Sequence, residues 1–122
     1  FAERFYKKIK AKHKEVGSIP AANAQAIERA AAELGLDADV MKAMCMIESY
    51  NCTDARATNK YGYKGLFQFC GPGCRYQKTW VKPFIRVQGA DIYDPYENAY
   101  AAGKMIQQNL KYFNNNRSKI MQ

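Results

Sequence analysis

A chain of 122 residues, 48% of them hydrophobic, is long enough for one domain with its own core and too short for two. That hydrophobic share excludes a disordered chain, and no apolar run approaches the roughly 20 residues that a membrane-spanning helix needs. The net charge of +8 suits polyanions of any kind, whether nucleic acid, acidic lipid or wall polymer, and does not choose among them.

In residues 1–16, Arg4, Lys7, Lys8, Lys10, Lys12 and Lys14 face only Glu3 and Glu15, an excess of four positive charges. Phe1, Phe5, Ile9 and Val16 share one face, so the segment predicts a basic helix docked by that stripe rather than a membrane anchor. His13 is expected to lie exposed, without a role. The pattern breaks at Gly17-Ser18-Ile19-Pro20, which divides the chain into an N-terminal helix (1–19) and a compact domain (20–122). Ser18 is expected to cap the next helix, with Pro20 in its first turn.

An alanine-rich helix follows from Ala21 to Leu34, closed by Gly35, and Asp37 offers a cap for a third helix from Ala38 to about Tyr50. Val40, Met41, Ala43, Met44, Cys45, Met46 and Ile47 make that third helix apolar nearly all round, the mark of a buried helix. Residues 51–76 predict loop with two or three short strands, including a small hairpin around Tyr61-Gly62-Tyr63 and a turn at Gly71-Pro72-Gly73. A short helix is expected over 77–87. Asp94-Pro95-Tyr96-Glu97 combines a cap, a first-turn proline and a glutamate three residues on, which predicts a last helix to about Tyr112. Ala99, Ala102, Met105, Ile106 and Leu110 would point inward along it.

Cys45, Cys52, Cys70 and Cys74 permit three full pairings, and spacing does not select one. A metal site is the weaker reading, because the spacings are not those of zinc ligands and His13 is distant. Two disulfides in an oxidising compartment are expected, with reduced buried thiols as the alternative.

Glu48 closes the apolar helix. Desolvation and the negative helix C-terminus both disfavour its ionised form, and a carboxylic acid kept protonated suits the donation of a proton to a leaving oxygen. Solvent-exposed glutamates are equally common at such positions, so the helix alone does not decide between them.

The surrounding residues do. Glu48-Ser49, then Gly65-Leu66-Phe67-Gln68, then Asp94-Pro95-Tyr96-Glu97-Asn98 leading into Ala102-Gly103, occur in this order. Upstream stands Ala31-Ala32-Glu33-Leu34-Gly35-Leu36-Asp37. Over roughly residues 22–112 the chain resembles the soluble lytic transglycosylases of the lysozyme-like superfamily, and more distantly the goose-type lysozymes.

The resemblance implies a mainly α lysozyme-like fold, with a helical domain, a small β-rich lobe and a substrate cleft between them. It makes Glu48 the general acid and then the general base. Ser49 would orient the loop, Gln68 would hydrogen-bond substrate, and Gly65 would allow a close backbone approach. Phe67, where the family more often has methionine, would contact the sugar. Tyr63 is expected in the substrate site, and Tyr100 as a stand-in for a family tyrosine that has no counterpart after Tyr112.

The implied reaction cleaves the β-1,4 bond after N-acetylmuramic acid and leaves a 1,6-anhydro end, with one protein carboxylate and neither cofactor nor metal. A hydrolase would require a second carboxylate, for which Asp54 is the nearest in sequence after Glu48. Asp94 is better explained as a cap and Asp91 as a turn residue. Tyr61, Tyr76, Trp80, Tyr93 and Tyr96 add aromatic surface, part for stacking on sugars and part for ordinary packing.

Bacterial peptidoglycan is the implied partner. A monomer is expected, in a periplasmic, secreted or virion-associated setting or within a larger wall-penetrating assembly. A non-catalytic wall-binding domain on the same fold is the first alternative. A nucleic-acid module is the second; outside residues 1–16 no basic recognition helix with interleaved aromatics supports specific nucleic-acid binding.

Overall fold

The computed structural model describes residues 2–70 and 92–115. They form helices α1 (Ala2–His13), α2 (Ala21–Leu34), α3 (Ala38–Glu48) and α4 (Pro95–Asn115), with strands β1 (Tyr63–Lys64) and β2 (Phe69–Cys70). The expected turn at 71–73 and helix over 77–87 lie outside the described residues.

The helix boundaries follow local chemistry. Gly35 closes α2 at φ 68°, its N–H donating to Ala32 while Leu36 donates to Ala31 at 2.9 Å. Asp37 Oδ1 accepts from the backbone of Asp39 at 2.9 Å and Val40 at 3.3 Å, which satisfies the open donors of α3. Asp94 does the same for α4, accepting from Glu97 N at 2.8 Å, with Pro95 at the first helical position.

The start of α2 and the end of α3 differ from expectation. Ser18 does not cap α2: a 3-10 turn over Val16–Ser18 takes it, and its Oγ donates to Glu15 O at 2.7 Å. Pro20 therefore stands at the cap position, before the first turn of α2. The third helix stops at Glu48 rather than Tyr50, because Tyr50, Asn51 and Cys52 all turn left-handed, at φ 49°, 59° and 62°.

The core lies between α2, α3 and α4 and takes in the 65–69 segment. Ile27, Ala30, Ala31, Met41, Met46, Leu66, Phe69 and Ala102 are buried together, and Val16, Met105 and Ile106 pack against them half-buried. Full burial of a residue such as Ile27 or Leu66 contributes about 1.5–3 kcal/mol. Helices α2 and α4 pack closely at Gly103, where any β-carbon would collide with Leu34 Cδ1. Gln107 of α4 donates to Leu34 O at 2.7 Å and so caps the end of α2. Lys42, the interior charge of α3, pairs with Glu28 at 2.7 Å across to α2. Helix α1 packs against α3.

The two strands pair antiparallel, Tyr63 opposite Cys70 and Lys64 opposite Phe69. The tip of this hairpin is Gly65–Gln68, and a second bridge joins Thr58 to Lys64 around the Tyr61-Gly62 turn. The expected hairpin around Tyr61-Gly62-Tyr63 is thus one of two consecutive turns. The described part of the molecule is mainly helical, and none of its helices is long and apolar enough to cross a membrane.

Candidate active site

Glu48 is the last residue of α3, and it lines a cavity of about 490 Å³ together with Ile47, Tyr50, Asn59, Tyr63 and Gln68. Among the described residues it is the one carboxylate of that lining, and it makes no hydrogen bond or ion pair with any of them. Burial of its carboxyl among these neighbours disfavours the charged form and raises its pKa above the usual carboxylate range. The residue nevertheless keeps solvent access, as a group that must meet a substrate requires.

Two contacts fix Glu48 relative to the hairpin tip. Ser49, 1% exposed, donates from Oγ to Leu66 O at 2.6 Å and so ties the end of α3 to the Gly65–Gln68 turn. Within that turn Gln68 N donates to Gly65 O at 3.2 Å, while Gln68 Nε2 donates to Gly65 O at 2.8 Å and Ala57 O at 3.0 Å. Both partners of the side-chain amide are carbonyls, so its nitrogen must face them, and Oε1 is left as an acceptor with no partner among the described residues.

Asn59 supplies the complementary group. Its Oδ1 accepts from Tyr61 N at 2.9 Å and Tyr63 N at 3.0 Å, which leaves Nδ2 as a donor unused by the described residues. The cavity therefore offers a neutral-leaning acid, an acceptor, a donor and two tyrosine rings. That set can hold a polyhydroxylated, amide-bearing ligand and protonate it.

The Gly65–Gln68 turn is braced from α4. Asn98, buried, accepts at Oδ1 from Phe67 N at 2.8 Å and donates from Nδ2 to Ile92 O at 2.8 Å and Lys64 O at 3.3 Å. Gly65 sits directly against this amide at φ 85°, and a β-carbon there would strike Asn98 Nδ2 and lie 2.8 Å from Ile92 O. The close approach that Gly65 permits in this structure is to Asn98.

The turn after Glu48 is held as firmly. Cys45 and Cys52 form a disulfide with Cα atoms 5.0 Å apart, Asn23 donates to Cys52 O at 2.9 Å, and Lys12 donates to Asn51 Oδ1 at 3.1 Å. Closing so short a loop stabilises by about 2–3 kcal/mol in the chain-entropy picture, which offsets part of the cost of left-handed backbone at non-glycine positions, roughly 1–3 kcal/mol each. Cys74 and any pairing of Cys70 lie outside what is described.

Other expected site residues are placed elsewhere. Phe67 is 7% exposed and packs in the core. Tyr100 is half-buried beside Tyr96, their ring centres 6.2 Å apart, and does not line the cavity. Asp54 accepts from Arg56 N at 2.9 Å in a surface turn, away from the lining. Tyr96 donates to Glu33 at 2.6 Å and Tyr93 shares a 2.7 Å hydrogen bond with Thr58, both structural contacts. Tyr76, Trp80 and Asp91 lie outside the described residues. Sequence reasoning assigned no role to Tyr50, Asn59, Asn98 or Asn23. Asn59 carried a signal, since Asn before a Gly-containing turn is a common turn former, and Asn98 stood in the Asp94–Asn98 motif without a role, but nothing local marked Tyr50 or Asn23.

No cluster of three or more potential metal ligands occurs among the described residues. No curated protein and no solved structure gives a significant match to the chain. A family model, the transglycosylase SLT domain, matches residues 25–122. With that match spanning most of the chain and Glu48 set on its apolar helix above the Gly65–Gln68 turn, the protein belongs to the transglycosylase SLT domain family.

Proposed function

We propose that this domain cleaves the glycan strand of bacterial peptidoglycan with Glu48 as its single catalytic carboxylate and leaves a 1,6-anhydro end. Family membership carries lytic transglycosylase activity on peptidoglycan in general. The observation that supports the finer reading is the state of Glu48: partly desolvated, without a hydrogen-bond or ionic partner among the described residues, and the sole carboxylate among those of the cavity lining.

In this reading neutral Glu48 gives its proton to the glycosidic oxygen as the bond from C1 of N-acetylmuramic acid breaks. The sugar's own N-acetyl group shares the developing positive charge. The C6 hydroxyl oxygen then bonds to C1, and Glu48, now a carboxylate, accepts the hydroxyl proton and returns to its starting state. No water is consumed and no second carboxylate is needed. Gln68 Oε1 and Asn59 Nδ2 would hold sugar substituents, Tyr63 would flank the ring, and Ser49 would keep acid and turn in register. Residues 20–122 would form the catalytic unit with α1 braced against α3, acting outside the cytoplasm where peptidoglycan lies.

Hydrolysis by a goose-type mechanism gains no support from Asp54, which is engaged in its own turn. The two chemistries separate cleanly in water labelled with heavy oxygen. Transglycosylation is expected to release fragments that carry no label and add no reducing ends. One labelled oxygen per cleaved bond would instead make the protein a muramidase.

A further inference from the structure

We propose that Tyr50 is a glycan-binding residue, an aromatic platform on which a sugar ring stacks beside the acid; this rests on the peptidoglycan reading above. Tyr50 is 71% exposed, the one large hydrophobic side chain so exposed among the described residues. A lone exposed aromatic is unremarkable on a surface. This one lines the same cavity as Glu48, and its side chain takes no hydrogen bond from any described residue; only its carbonyl is used, by Thr53.

The backbone shows that the exposure is imposed. Tyr50 stands at φ 49°, in a region that tyrosine rarely enters, and continuing α3 in right-handed form would have avoided the strain. Instead the turn is pinned from three directions: by the disulfide to Cys45 on α3, by Asn23 on α2, and by Lys12 on α1 through Asn51. Strain retained by such bracing next to a reactive group marks a site whose geometry is held in advance. What the bracing presents is an open phenol ring. The apolar C–H face of a pyranose stacks on such a ring, and a ring already in place loses little freedom on binding.

The test uses the full chain carrying Glu48→Gln, which binds without cutting, and peptidoglycan glycan strands freed of their stem peptides as the probe. Affinity is measured by calorimetry for that protein and for the same protein with Tyr50→Ala, Tyr50→Asn or Tyr50→Phe added. Asparagine tolerates left-handed backbone, so it removes the ring without adding strain, and circular dichroism checks each fold. Loss of the ring is expected to weaken binding about tenfold, while phenylalanine stays within about twofold. Ala and Asn variants that bind as tightly as the protein with Tyr50 overturn the proposal, and so does the absence of any glycan binding. Cleavage by the unmodified protein is read separately: ring-dependent binding without cleavage would uphold Tyr50 and sink the catalytic reading instead.

Discussion

Gly65→Ala is expected to destabilise the fold by roughly 3–5 kcal/mol, a fall in Tm of about 10–20 °C by thermal melting. Two costs combine. The residue stands at φ 85°, where alanine is strained, and its methyl group would enter the space of the Asn98 amide and press on Ile92 O. Displacing Asn98 would break buried hydrogen bonds to Phe67 N, Ile92 O and Lys64 O, and an unsatisfied buried donor such as Phe67 N costs about 1–3 kcal/mol.

Because the two residues compete for one space, Gly65→Ala and Asn98→Ala should not add. The double variant is expected to lose less than the sum of the singles, since removal of the amide vacates the site. Asn98→Asp discriminates further: it keeps the acceptor for Phe67 N and aims a second oxygen at two carbonyls, so it too should destabilise. A Gly65→Ala protein within about 1 kcal/mol of the parent would refute this account of the turn.

The second large effect concerns Glu48 and pH. Burial raises its pKa in the folded state above the unfolded value. The proposed mechanism needs the protonated form, so kcat/KM should stay high beyond the usual carboxylate range and decline as pH rises through the raised value. Stability runs the same way. Below the unfolded pKa the group is neutral in both states and carries no penalty. As pH rises through the folded pKa, the folded protein must hold a charge in a partly desolvated site that the unfolded chain leaves in water, so stability is lost upward. Glu48→Gln removes that charge, and its Tm should exceed the parent's at neutral pH and converge with it in acid. A parent and variant that melt alike at every pH would mean that the carboxyl is fully solvated.

The sequence carried much of this architecture wherever a residue acts on its own neighbours. Gly35, Asp37 and the Asp94-Pro95 pair mark helix ends through contacts a few residues long, and those ends are where they were expected. The position of Glu48 at the end of an apolar helix was equally legible. Ser18 misled because a hydroxyl that can cap the helix ahead can also bond the carbonyl three residues behind, and the latter won.

What stayed hidden depends on residues far apart in the chain. The left-handed turn over Tyr50–Cys52 is sustained by Cys45, Asn23 and Lys12, and of its members only asparagine signals such a backbone. Nothing in the residues around Gly65 shows that Asn98, much further along the chain, lies against it. Phe67 is expected at a sugar contact from its place in the Gly65-Leu66-Phe67-Gln68 run, and its side chain packs in the core.

Release of soluble fragments from purified peptidoglycan, followed by mass spectrometry for the parent and Glu48→Gln side by side, tests the central claim most directly. A general acid that is also the general base should leave almost nothing when removed, a loss of at least about a thousandfold. The account predicts anhydro-ended fragments from the parent and none above background from the folded variant. Comparable release by Glu48→Gln would contradict it, and would place the proton donor on another residue.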